Sequence, residues 1–228
     1  MDGSADRLIG ALAADLRPVR LLLPPALRTL LWLLLVAAIA AALATFADVS
    51  ATWHRLSAVS DMWLAALGSI ATMATAAFAA FELSLPDRSR SWALLPLPAA
   101  VLWVGASGLG CMRGVLLPGT HVAATNETLH CLLFIVGLSV PLSVALMLML
   151  LRGCSLAPPL TAAMAGLASA AAAATLLNFF HPFAVAAADL FVHGIAVLIV
   201  VVAVRAVGSR TLQNSFTVPV TVPPDGSN

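Results

Sequence analysis

Residues 6–46 read DRLIGALAADLRPVRLLLPPALRTLLWLLLVAAIAAALATF. The second half of this stretch, from Thr29 to Phe46, is an unbroken apolar run. Its length approaches the roughly 20 residues that a helix needs to cross about 30 Å of hydrocarbon. The first half carries Arg7, Arg17, Arg20 and Arg28 and a proline-interrupted lead. A charged lead and then a membrane-length run is how a polytopic membrane protein begins.

The rest of the chain repeats the second half of that pattern. Further apolar runs fall at about 62–83, 92–110, 129–151, 160–177 and 184–204, which makes six. Composition agrees, since 61% of residues are hydrophobic and 9% charged, far from the balance of a soluble domain. In lipid every backbone polar group must be satisfied within the segment, so six such runs predict six helices. The expected fold is an all-α, six-helix transmembrane bundle. It divides into an N-terminal segment (1–28), a membrane domain (29–207) and a polar, proline-bearing tail (208–228) that is expected to be disordered. The longest connection, 111–128, is too short for a separate catalytic domain.

The basic residues are all arginine and they orient the bundle. Nine of the 11 lie before span 1 or after spans 2, 4 and 6, leaving only Arg55 and Arg113 in the alternate loops. The positive-inside bias then puts both termini in the cytoplasm of a bacterial inner-membrane protein. A signal peptide is a poor reading of the opening stretch. Its polar lead is long, its apolar run exceeds an ordinary signal core, and the charge pattern of the later spans needs span 1 retained.

Within the lead, Leu8, Ile9, Leu12 and Leu16 recur at helical spacing with Asp6, Arg7 and Asp15 off that face. Arg17-Pro18 ends the turn, because proline disfavours helix in the residue before it. The resulting short amphipathic helix has two uses. It can lie on anionic lipid, or it can fill an apolar groove on a cytoplasmic partner, with Arg17 and Arg20 at the rim.

Ionisable residues within the spans are few. Asp189 and His193 are four apart and share a helix face, where they can satisfy each other as a clasp or form a proton-responsive pair. Glu82 lies near the end of span 2 and is expected to pair with Arg88 or Arg90. Gly105-Ala106-Ser107-Gly108 with His193 imitates an intramembrane serine protease. However, the serine is about 5 Å and the histidine about 14 Å from the outer surface at 1.5 Å per residue, whereas a base must lie within about 3 Å of its nucleophile. The two glycines are also of the kind that packs span against span. No enzyme is expected. A small-solute or ion transporter or channel is the alternative, although spans 1, 3 and 5 hold no ionisable residue and no pair of interrupted segments marks a midplane site.

The stretches LAADLRPVRLLLPPALRTLLWLLL, FELSLPDRSRSWALLPLP, GCMRG, HCLLFIVGLSVPLSVALMLMLLRGCSLAPPLTA and FHPF, in that order over residues 6–205, resemble the NrsF family of six-span bacterial inner-membrane anti-sigma factors. The resemblance implies that the protein holds an extracytoplasmic-function sigma factor at the membrane and releases it under stress, with two extracytoplasmic cysteines involved in sensing. It implies a sigma factor and the lipid bilayer as partners, and no direct nucleic-acid binding. Leu8, Leu12, Leu16, Arg17 and Arg20 are then the expected docking residues.

Cys111 and Cys131 fit those cysteines, at the outer ends of spans 3 and 4. Two thiols on the oxidising side can close a disulfide if their α-carbons approach within about 7 Å. With His121, Glu127 and His130 between the two cysteines and His181 in the outer loop after span 5, a soft metal held transiently by Cys111 and Cys131 is a second arrangement. Unpaired thiols are a third. No resident cofactor is called for. Cys154, on the reducing side, reads as a small residue at a helix end.

Overall fold

The structure, a computed structural model, describes residues 3–14, 22–48, 50, 53–54, 60–116, 125–177 and 187–214. Within its helices the side chains at 4, 8, 11–12, 60–61, 110–116, 125–128, 130–131 and 187–193 lie outside the description. The elements in chain order are α1 (Gly3–Ala14), α2 (Pro25–Ala44), α3 (Ser60–Leu83), a 3-10 turn (Arg90–Leu94), α4 (Leu97–Leu116), α5 (Thr125–Leu150), α6 (Pro158–Leu177) and α7 (Ala187–Asn214). Among the described residues there is no strand, and six helices, α2 to α7, are long and apolar enough to cross a membrane. Each matches one of the expected runs.

The helix ends differ from those expected, for local reasons. Helix α2 begins at Pro25. Proline at the first helical position has its φ already set, and its missing N–H would have had no partner there. Arg28 therefore lies in the first turn of α2, and the helix starts four residues before the expected apolar run. Helix α4 continues to Leu116 and α5 starts at Thr125, which takes much of the expected 111–128 connection into helix. After Pro98 in its first turn, α4 meets no proline before Pro118. Helix α7 runs to Asn214, so residues 208–214, expected in the disordered tail, are helical. Its arginines, 205 and 210, can carry their charges to water on long side chains while the backbone stays hydrogen-bonded. Residues 215–228 of the tail lie outside the described residues.

Helix α6, PPLTAAMAGLASAAAAATLL, is the centre of the bundle, packed against α3, α5 and α7. Ala162, Ala165, Ala168, Ala171 and Ala172 are fully buried. Lipid tails are as apolar as leucine, so side-chain greasiness does not drive helices together in a membrane. Close backbone approach does, and small residues permit it. At Gly166 a Cβ would sit 2.9 Å from Val201 Cα of α7. Gly105 and Gly108 do not serve this way, since a Cβ at either would meet nothing within 4 Å. Helix α2 is fastened from outside by Trp32, fully buried, whose Nε1–H donates to the Leu142 carbonyl of α5 at 3.3 Å.

Candidate functional site

A helix leaves its last carbonyls without intrahelical donors. The segment after α3, SLPDR, cannot continue as helix past Pro86. Those carbonyls are met by side chains from elsewhere. The Leu83 carbonyl accepts from Ser155 Oγ (2.9 Å) and Thr161 Oγ1 (3.2 Å), and these two hydroxyls are 2.7 Å apart. Ser84 Oγ donates back to the Phe81 carbonyl at 2.7 Å. Gly153 lets the α5–α6 connection lie against this helix end, because a Cβ there would come within 2.8 Å of the Ser84 carbonyl oxygen. Sequence reasoning missed this knot. Its only sequence signal is a serine or threonine beside a proline-bearing turn, in SLP and SLAPPLT.

Arg28 enters the knot from α2. It is 4% exposed. One guanidinium nitrogen donates to Ser84 Oγ at 3.2 Å and another to the Met149 carbonyl, one residue before the end of α5. The Gly153 N–H, which would continue the ladder to Met149, bonds instead to the Leu150 carbonyl at 2.8 Å, leaving Met149 free to accept the arginine. The guanidinium carbon also lies 4.4 Å from the centroid of the Phe81 ring. A cation at a helix C-terminus is favoured by the helix dipole, and over an aromatic face by the ring's electrons. Counted from the sequence only among the arginines that precede span 1, Arg28 is a three-way clamp joining α2, α3 and α5.

Glu82 pairs with Arg88, as one of the two expected arrangements had it. The carboxylate is buried, and Arg88 Nε lies 3.0 Å from Oε2. The approach is off the N–H axis, so Oε2 is attracted without accepting an aligned hydrogen bond. The 3-10 turn that follows presses Trp92 edge-on against Phe78 of α3, with centroids 5.6 Å apart. The segments carrying Arg28, Arg88, Arg90, Arg152, Arg205 and Arg210 thus gather at one end of the bundle. The start of α2 and the end of α7 lie at that same end.

The amphipathic helix forms as expected, over Gly3–Ala14. Every α1 residue with a described side chain is exposed, and Ile9 is 62% exposed. Leu8 and Leu12 lie on this helix with side chains outside the description; Leu16, Arg17 and Arg20 lie wholly outside the described residues. Cys111 falls on α4 and Cys131 on α5, both within helix. Counted along the helices from Leu97 and from Met149, they stand roughly 21 Å and roughly 27 Å from the arginine-bearing end, at 1.5 Å per residue. Their side chains, and those of Glu127 and His130 on α5 and of Asp189 and His193 on α7, are outside the description, and so are His121 and His181 entirely. Cys154 is exposed, with a free thiol.

No curated protein and no solved structure matches the chain. A family model does, over residues 12–213, and its description is NrsF, negative regulator of sigma F. The match takes in all six membrane-length helices and the whole of the Arg28 knot, and the chain belongs to the NrsF family, the negative regulators of sigma F.

Proposed function

We propose that the protein is an anti-sigma factor of a bacterial inner membrane, with both termini in the cytoplasm, and that it holds an extracytoplasmic-function sigma factor until a stress signal arrives at Cys111 and Cys131. The observation that carries this reading, beyond family membership, is α1. It is an amphipathic helix with Ile9 in the open, tethered by a short segment to the end of the bundle where the arginines gather. Leu8, Leu12 and Leu16 fill an apolar groove on the sigma factor, while Arg17 and Arg20 meet its acidic rim. Regulation is by stoichiometric binding, without catalysis and without a resident cofactor.

The Arg28 clamp supplies the route from signal to release. Closing a disulfide or a soft-metal bridge between Cys111 and Cys131 draws together the distal ends of α4 and α5. Helix α5 ends on the Met149 carbonyl that Arg28 grips, and Arg28 lies four residues after Pro24, where the tether of α1 enters α2. A tilt of α5 changes that grip and with it the presentation of α1. Such a signal acts only through its differential affinity for the two arrangements, and about 1.4 kcal/mol of difference shifts the balance tenfold. The test is the double substitution Leu12→Asp with Leu16→Asp. It frees the sigma factor, raising sigma-dependent transcription while the protein stays in the membrane at its normal level. Unchanged transcription at equal expression removes α1 from the interface.

A further inference from the structure

At the arginine-bearing end, an open cavity of about 560 Å³ lies between the 3-10 turn, the start of α6 and the end of α7. Its lining combines the cationic and polar Arg90, Arg205 and Gln213 with the apolar Leu156, Pro158 and Pro159. No acid among the described residues pairs with either arginine, and the ion pair at this end, Glu82 with Arg88, already engages the buried carboxylate. Leu156 is 70% exposed.

Depth matters as much as charge. Arg90 and Pro158 are the first residues of two of the membrane-length segments, and Gln213 is next to the last of a third. Segments of this length reach from one headgroup layer to the other, so a cavity at their ends would open among the headgroups. Below it, the neighbouring elements carry Leu94, Leu97, Leu198 and Val202 exposed, as a lipid-facing surface does. The start of α6 offers an anion no free N–H. Pro158 and Pro159 have none, and the amides of Leu160 and Thr161 both donate to the Ala157 carbonyl. Any anion held there depends on the two arginines and the Gln213 amide.

We infer that this cavity binds the phosphate-ester headgroup of an anionic phospholipid, with Arg90 and Arg205 on the phosphate, Gln213 donating beside them and the acyl chains leaving along the Leu156 and proline wall. A free phosphate shares the first contacts but has nothing to place on that wall. An acidic peptide would leave the wall bare. This inference does not depend on the sigma factor.

The experiment uses the full chain, purified in a non-ionic detergent, with lipid occupancy read by native mass spectrometry. Phosphatidylglycerol and phosphatidylcholine of the same acyl chains are titrated separately. Phosphatidylglycerol binds preferentially to the parent, and Arg90→Gln with Arg205→Gln weakens it roughly 100-fold, about tenfold for each charge-assisted hydrogen bond to the phosphate that is lost. Arg152→Gln with Arg210→Gln removes equal charge from the same end and leaves the affinity within about twofold of the parent. Arg90→Gln and Arg205→Gln are also made singly, and each costs about tenfold. Equal losses in the two double variants mean diffuse attraction and overturn the site. So does a parent with no preference for phosphatidylglycerol, and so does displacement of the lipid by inorganic phosphate at equal concentration.

Discussion

Replacing Arg28 tests the clamp, and the chemistry of the replacement decides the outcome. In the native arrangement two charge-assisted hydrogen bonds contribute about 1.5–3 kcal/mol each, and the stacking on Phe81 about 0.5–2 kcal/mol. Against them stands the cost of taking a guanidinium out of water, several kcal/mol. Arg28→Met removes both sides of this balance and keeps a stem of similar length over the Phe81 ring. Ser84 Oγ still donates to the Phe81 carbonyl. What remains is a Met149 carbonyl without its arginine donor, which costs about 1–3 kcal/mol. Arg28→Lys keeps the charge but offers a compact ammonium in place of a planar fork, and it cannot serve Ser84, Met149 and the ring together. A buried charge short of donors is the worse case, so the lysine variant should lose about 3–5 kcal/mol, the range found when a buried ion loses a partner. Unfolding in mixed micelles reads the stability. Hydrogen exchange reads the place, with faster exchange confined to about residues 22–32 and α6 unchanged. If lysine matches arginine while methionine does not, charge alone matters and the three-way geometry is idle. If methionine is indistinguishable from arginine in both assays, the clamp does not hold α2.

Two further predictions follow from the packing and from the proposed switch. Gly166→Ala puts a Cβ 2.9 Å from Val201 Cα, so α6 and α7 must separate at a cost of about 1–3 kcal/mol, read as a lower unfolding midpoint in the same micelles; Gly108→Ala, whose Cβ meets nothing within 4 Å, does not lower the midpoint and raises it slightly, by about 0.4–1 kcal/mol of stability. Serine at Cys111 or Cys131 locks the sigma factor either held or released and abolishes the transcriptional response to thiophilic metals and oxidants; a double-serine variant that responds normally leaves both cysteines outside the switch.

The six membrane-length helices and the gathering of arginines were legible from composition and order alone, because the bilayer imposes its test locally. A stretch is or is not apolar for long enough, whatever the rest of the chain does. The amphipathic α1 was legible for the same reason, since its periodicity lies within one turn of helix after another. The Glu82 pairing was half legible, because Arg88 and Arg90 are both in reach along the chain and only the fold selects Arg88. The role of Arg28 had no local signature. In the sequence it is the fourth arginine of a basic lead, like Arg17 and Arg20; what sets it apart is a ring at 81, a hydroxyl at 84 and a carbonyl at 149, brought to it by two other helices. The central place of α6 was hidden for a related reason. An alanine-rich span crosses lipid as acceptably as a leucine-rich one, and its small side chains matter only once α3, α5 and α7 close around them. Hydropathy is a property of a segment and decides which residues cross the membrane. Partnership is a property of pairs far apart in the chain, and tertiary packing alone decides which of those residues are joined.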